Sequence, residues 1–126
     1  MKKKVLIIDD AATARLYHRQ ILEAEGYEVN EAANGYEALE KVLAQQVDLL
    51  LVDVNMPKMD GYTFLKTLRQ DDQGLNDIPA IIISTESELR DARAAYLVGA
   101  NLYLTQPVKP PQLERYARLL TGEAQS

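Results

Sequence analysis

At 126 residues the chain has the size that builds one hydrophobic core and one domain. Hydrophobic residues at 47% and charged residues at 26% exclude a disordered chain. A net charge of -5, from 14 Lys plus Arg against 19 Asp plus Glu, argues against a nucleic-acid-binding face, which needs basic residues, and the lack of cysteine excludes disulfides and thiol catalysis.

The basic start from Met1 to Lys4 leads into a short apolar run, Val5 to Ile8, that ends in Asp9 and Asp10. A secretory signal needs roughly seven or more apolar residues and a membrane span about 20. A soluble, cytoplasmic protein is therefore expected.

Lys4 to Asp9 reads as a strand, and Ala12 to Glu25 as a helix, with Leu16, Gln20, Ile21 and Ala24 near helical spacing and Gly26 as its stop. Tyr27 to Glu31 is a second, weaker strand. Asn34 and Gly35 turn the chain, and Tyr36, Leu39, Val42 and Leu43 mark a helix running to about Gln46. Asp48 to Asp53 is apolar through its middle, as in a strand covered on both faces, and Pro57 with Gly61 signals a loop before a helix at Tyr62 to Gln70. Pro79 to Ser84 is another buried-type strand, followed by a helix from about Glu88 to Val98 that Gly99 ends. Asn101 to Leu104 and Pro110 to Leu120 make the last strand and helix.

Strands alternating with helices demand parallel pairing, right-handed crossovers and a sheet covered on both faces, so the fold class is a three-layer α/β domain. No Ser-, Pro- or Gly-rich linker divides the chain. The expected organisation is one domain over residues 1–121, a short tail at 122–126 and no output domain.

In open parallel sheets the functional groups gather beyond the carboxyl ends of the strands. The first strand ends in Asp9 and Asp10, the third in Asp53, the fourth in Ser84 and Thr85, and the fifth runs into Gln106 and Pro107. Asp9 and Asp10 could simply cap the following helix. Beside Asp53 they suggest more: carboxylates converging on one site repel one another, and a divalent cation relieves that cost. Oxygen-only ligands suit Mg²⁺.

These strand ends, with Asp53-Val-Asn-Met-Pro-Lys-Met-Asp-Gly61 after the third strand, resemble the response-regulator receiver family over essentially all of Lys4 to Leu120. The single-domain chemotaxis-type members, the CheY-like regulators, are the nearest pattern, and CheY is itself a standing example of the flavodoxin-like strand order 2-1-3-4-5. The resemblance implies two-component phosphorelay signalling, chemotaxis being one such pathway. A histidine kinase or histidine phosphotransfer protein would be the donor, Asp53 the phosphoacceptor and Mg²⁺ the cofactor. Phosphorylation and dephosphorylation would be self-catalysed, without enzymatic turnover.

By the same resemblance Asp10, Asp53 and the Asn55 backbone carbonyl would hold the ion, and Asp9 would act through a bound water. Ser84 would meet a phosphoryl oxygen, and Tyr103 would turn inward as its switch partner. Asn55 and Glu86 would tune the lifetime of the phosphoryl group, although an acid such as Glu86 also suits the opening of a helix. The output protein would dock on the face of the fourth helix, fifth strand and fifth helix, where Arg90, Arg93, Tyr96, Arg115 and Tyr116 are expected to be exposed. The kinase would use the first helix near Ala14, Arg15, Tyr17 and His18, and His18, the only histidine, is expected at the surface. Neither nucleic acid nor membrane is expected as a partner, and the state is a monomer or weak dimer.

One position departs from the family pattern. Where receivers carry Lys before Pro after the fifth strand, this chain has Gln106, which keeps a hydrogen-bond donor but loses the charge. Lys109 could replace it only by reaching back around Pro107, a residue that itself can favour a cis bond. The alternative reading is accordingly a degenerate receiver that binds its partner whether or not it is phosphorylated. A Mg²⁺-dependent phosphohydrolase or nucleotide-binding enzyme on a similar fold is a third, but the sequence has neither G-x-G-x-x-G nor a P-loop.

Overall fold

The computed structural model describes residues 2–71, 74–86 and 88–122. Strands and helices alternate from end to end: β1 (Lys4–Ile8), α1 (Ala12–Ala24), β2 (Glu28–Ala32), α2 (Gly35–Ala44), β3 (Leu49–Asp53), α3 (Gly61–Arg69), β4 (Ala80–Ser84), α4 (Leu89–Leu97), β5 (Leu102–Thr105) and α5 (Pro110–Thr121). All strands pair in parallel, in the order β2-β1-β3-β4-β5. This is the expected three-layer α/β fold with the expected order. Of the tail expected at 122–126, Gly122 is described as the C-cap of α5, and 123–126 lies outside the described residues.

The apolar strand runs are explained by two cores, one on each side of the sheet. Because side chains alternate along a strand, Leu6 and Ile8 of β1 and Leu50 and Val52 of β3 face α2, α3 and α4, joining Ala38, Val42, Phe64, Leu65 and Ala95. Val5, Ile7, Leu49 and Leu51 face the other way, joining Leu22 of α1 and Leu113 and Ala117 of α5. Each such fully buried aliphatic side chain contributes about 1.5–3 kcal/mol relative to exposure. No helix among the described residues is long and apolar enough to cross a membrane.

The helix starts are fixed locally. The Asn34 side chain accepts from Glu37 N–H at 2.9 Å to open α2, and Asp60 accepts from Thr63 N–H at 2.7 Å to open α3. Gly99 ends α4 with φ 104°, a conformation that costs glycine little and other residues more.

Two helices bury only part of the stripe the apolar spacing suggested: Ile21 of α1 and Leu39 and Val42 of α2 pack on the cores, and the rest turn outward. In α1 Leu16 is 54% exposed, Gln20 and Ala24 are also exposed, and the buried residues are His18 and Leu22. This helix packs on β1, β2 and α5 together, so the buried stripe is rotated toward α5. In α2 Ala38 and Val42 are buried, whereas Tyr36 and Leu43 face solvent. His18 is thus a core residue rather than the expected surface group, with burial holding its imidazole below the usual pKa. Of the expected output-face residues, Arg90, Arg93, Tyr96 and Arg115 are exposed, but Tyr116 packs partly against the core that α1 and α5 cover.

Candidate functional site

The parallel register brings the acids together. Ile8 of β1 lies opposite Val52 of β3, so Asp9, the next residue, arrives beside Asp53 at the carboxyl end of the sheet. Carboxylate oxygens of Asp9, Asp10 and Asp53 all lie within 4.8 Å of one another, with Asp9 buried, Asp53 half-buried and Asp10 exposed. Asp9 does not cap α1, whose N-cap residue Ala11 has no side-chain bond to offer. Instead its Oδ1 accepts from Ala11 N–H at 2.9 Å within the turn itself.

Burial and crowding together show in the acids' proton affinities. Burial, then the charges of Asp9 and Asp10, push Asp53 up from 3.8 to about 7, against the opposing pull of the Asn55 and Val54 backbone N–H groups on its carboxylate. Burial also raises Asp9, and Asp10 adds to the rise, while the Ala11 hydrogen bond and the charge of Arg15 oppose it. Among the described residues no lysine or arginine forms an ion pair with any of the three acids. Oxygen donors, unbalanced negative charge and one exposed member make a donor set that fits a hard divalent cation.

The loop that follows Asp53 is held tightly against it. A Cβ on Gly61 would stand 2.3 Å from the Asp53 carbonyl oxygen, so only glycine permits α3 to start there. Between them Lys58 has φ 69°, a left-handed conformation that is strained for a side chain of its kind. Asn55 is exposed on the same loop.

Ser84 and Tyr103 converge on one residue. Ser84, the last residue of β4 and only 1% exposed, accepts at Oγ from Glu86 N–H at 3.1 Å. Tyr103 of β5 donates its hydroxyl to the Glu86 carbonyl at 2.5 Å, so its ring is turned toward the segment after β4. Glu86 is therefore gripped by its backbone from both sides while the residue itself is exposed. Tyr62 of α3 makes a similar reach, donating to the Asp91 carbonyl at 3.2 Å in the first turn of α4.

Gln106 donates its backbone N–H to Ser84 O at 2.7 Å and lines a cleft with Thr13, Ala14, Tyr17 and His18. The Gln106–Pro107 bond is cis. Lys109 is an exposed residue at the start of α5 and forms no ion pair among the described residues. It does not replace the missing charge at Asp53.

Sequence reasoning missed the pairing of Arg15 with Glu31 beside Asp9, at 2.7 Å, and the contact of Gly61 with Asp53. An acid at the end of the second predicted strand, with a basic residue in the first turns of the helix that precedes it, was the available signal for the first.

The chain matches the response regulator receiver domain family over residues 5–118. It is 36% identical over 94% of its length to the chemotaxis protein CheY1 of Helicobacter pylori, of which it covers 97%. It is also 36% identical over 94% of its length to the probable transcriptional regulator ycf27 of Cyanophora paradoxa, and spans only 48% of that protein. Most ycf27 relatives give the same picture, the chain spanning about half of their length. Among solved structures, the chemotaxis protein CheY4 of Vibrio cholerae superposes with a TM-score of 0.88 at 33% identity, covering 95% of this chain and 99% of that one. A putative response regulator from Chloroflexus aurantiacus reaches a TM-score of 0.91 at 31% identity, covering 98% of this chain and 100% of that one.

Proposed function

The chain belongs to the response regulator receiver domain family, and from that premise we propose that it accepts a phosphoryl group on Asp53 with Mg²⁺ bound at the acid cluster and signals by protein contacts. The observation that carries this reading is the meeting of the Asp9, Asp10 and Asp53 carboxylates within 4.8 Å, with no cationic partner among the described residues. A histidine kinase or histidine phosphotransfer protein is the donor, and an output protein reads the result.

Asp10, Asp53 and the Asn55 backbone carbonyl would hold the ion directly, and Asp9 would hold it through a water. The ion, when bound, supplies positive charge that offsets the acids and the oxygens of the transferring group. Without it Asp53, pushed up to about 7, is partly protonated at neutral pH and a poor nucleophile. In the transfer an Asp53 carboxylate oxygen forms a bond to phosphorus as the bond from phosphorus to the donor imidazole nitrogen breaks, and the nitrogen keeps the electron pair. The product is an acyl phosphate that water can later cleave, so the protein is a phosphoacceptor and not a turnover enzyme.

The new group adds charge and acceptor oxygens next to β4. Ser84 can give up the Glu86 N–H and donate its hydroxyl to a phosphoryl oxygen, which frees the segment after β4. Tyr103 then loses its reason to stay on the Glu86 carbonyl and turns inward, changing the face formed by α4, β5 and α5. Asn55 and Glu86 flank the approach of the hydrolytic water. Gln106 can donate a neutral hydrogen bond where the family has an ammonium, which weakens both transfer and the active state.

Incubating the protein with acetyl phosphate and following its intact mass tests the reading. One phosphoryl adduct is expected with Mg²⁺, none with chelator and none in Asp53→Asn; an adduct that survives in Asp53→Asn would overturn it.

A further inference from the structure

The cationic residue that works at the acid cluster touches no carboxylate there. Arg15, in the first turns of α1, donates Nη1 to the backbone carbonyl of Asp9 at 2.6 Å. Its Nε donates to Glu31 Oε1 at 2.7 Å. Glu31 stands on β2 opposite Ile7, two residues before Asp9, so the register of β1 with β2 puts this acid beside the turn. The other Glu31 oxygen is taken by Arg19, whose Nη2 donates to Val29 O at 2.8 Å and so ties the assembly back to β2. Both Arg15 and Glu31 are largely shielded, their side chains 18% and 27% exposed.

Asp9 is consequently held at each of its polar groups: its N–H on Ala32 O at 3.0 Å, its carbonyl on Arg15, its carboxylate on the Ala11 N–H at 2.9 Å. Asp10, the next residue, is exposed, and no side chain among the described residues bonds to its carboxylate. Where that carboxylate stands relative to Asp53 follows from the turn. A planar guanidinium can serve the Glu31 carboxylate and the Asp9 carbonyl at once and at a fixed angle, which an ammonium cannot.

We infer that Arg15, aimed by Glu31, is a positioning residue for this site: by clamping the Asp9 carbonyl it fixes the turn after β1 and with it the spacing of the Asp9 and Asp10 carboxylates from Asp53. The inference rests on the phosphoacceptor reading for its purpose, but its geometry stands apart from that reading. Charge and clamp make opposite predictions. If Arg15 acted only through its charge, Arg15→Lys would bind Mg²⁺ like the wild type and Arg15→Gln would bind it more tightly, because a positive charge near the cation has been removed. The clamp requires weaker binding in both.

Calorimetric titration of the full chain with MgCl₂ decides between them. Both variants should bind roughly tenfold more weakly, the usual scale for losing a residue that orients metal ligands. Wild-type affinity in Arg15→Lys together with tighter binding in Arg15→Gln overturns the clamp. Amide hydrogen exchange in chelator gives a second readout that needs no metal: the Ala11 N–H should exchange roughly fivefold faster in both variants as its hydrogen bond to Asp9 loosens. Should the wild type itself take up no Mg²⁺, the phosphoacceptor reading fails, and the Ala11 amide still decides the clamp; unchanged protection of that amide in both variants would refute it.

Discussion

Replacing the phosphoacceptor should make the metal-free protein more stable. Carboxylate oxygens of Asp9, Asp10 and Asp53 lie within 4.8 Å of one another, and at that distance two charges repel by about 1 kcal/mol in a water-like medium and about 3 kcal/mol at the dielectric of a protein surface. Asp53 is pushed from 3.8 to about 7, which at about 1.4 kcal/mol per unit is about 4 kcal/mol against the ionised form. Asp53 is only half-buried, and screening by solvent brings the expected effect of Asp53→Asn down to about 2 kcal/mol. The sign follows from proton binding: between pH 3.8 and about 7 the folded chain holds a proton on Asp53 that the unfolded chain releases. The cost is therefore absent at the acid end, grows as pH rises through this window and is complete above it. Urea denaturation followed by circular dichroism should give Asp53→Asn an advantage of about 2 kcal/mol at pH 8 in chelator. The advantage should shrink toward pH 4, and should shrink at pH 8 when Mg²⁺ is added, because only the wild type gains the full benefit of the ion. An asparagine variant no more stable than wild type at pH 8 in chelator would refute the reasoning.

Other perturbations follow from the same contacts. Gly61→Ala puts a Cβ 2.3 Å from the Asp53 carbonyl oxygen and should cost about 2 kcal/mol or more in thermal denaturation, with slower phosphoryl uptake because Asp53 must shift. Lys58, at φ 69°, is more strained than asparagine would be there, so Lys58→Asn should raise stability by about 0.5 kcal/mol in the same assay. His18 is buried with its pKa lowered from 6.5, so its contribution to stability is full above that value and is lost as pH falls below it. In an Asp53→Asn background, which removes the opposing slope, His18→Gln should flatten the decline in stability between neutral and mildly acid pH. Gln106→Lys exchanges a neutral donor for a charged one, worth about 1 kcal/mol, and should speed single-turnover phosphoryl uptake by about fivefold.

The order of elements was legible because β1, β3 and β4 read as apolar runs between turn residues, the weaker edge strand β2 falls between two helical patterns, and parallel pairing then leaves little choice of topology. Which helical stripe faces the sheet was less legible. Leu16 in α1 and Tyr36 and Leu43 in α2 are large, apolar and near helical spacing, yet they face solvent while His18 and Leu22 in α1 and the small Ala38 beside Val42 in α2 are buried. Spacing alone does not separate two adjacent stripes. The meeting of Asp9, Asp10 and Asp53 could be foreseen since adjacent strands end together. The clamp of Arg15 on the Asp9 carbonyl could not, because it depends on the register that sets Glu31 against Ile7 and on a backbone acceptor. Glu86 makes the same point: its backbone joins Ser84 to Tyr103, and a sequence speaks mainly of side chains.

The proposition beneath all of this is that burial, together with the charges of Asp9 and Asp10, keeps the Asp53 carboxyl partly protonated until a divalent cation arrives. Carbon-13 NMR of the Asp53 carboxyl, assigned by comparison with Asp53→Asn and followed against pH, reads it at the atom concerned. In chelator the midpoint should lie at about 7, and saturating Mg²⁺ should move it well down. A midpoint in the ordinary carboxylate range in chelator, unmoved by Mg²⁺, would contradict the account.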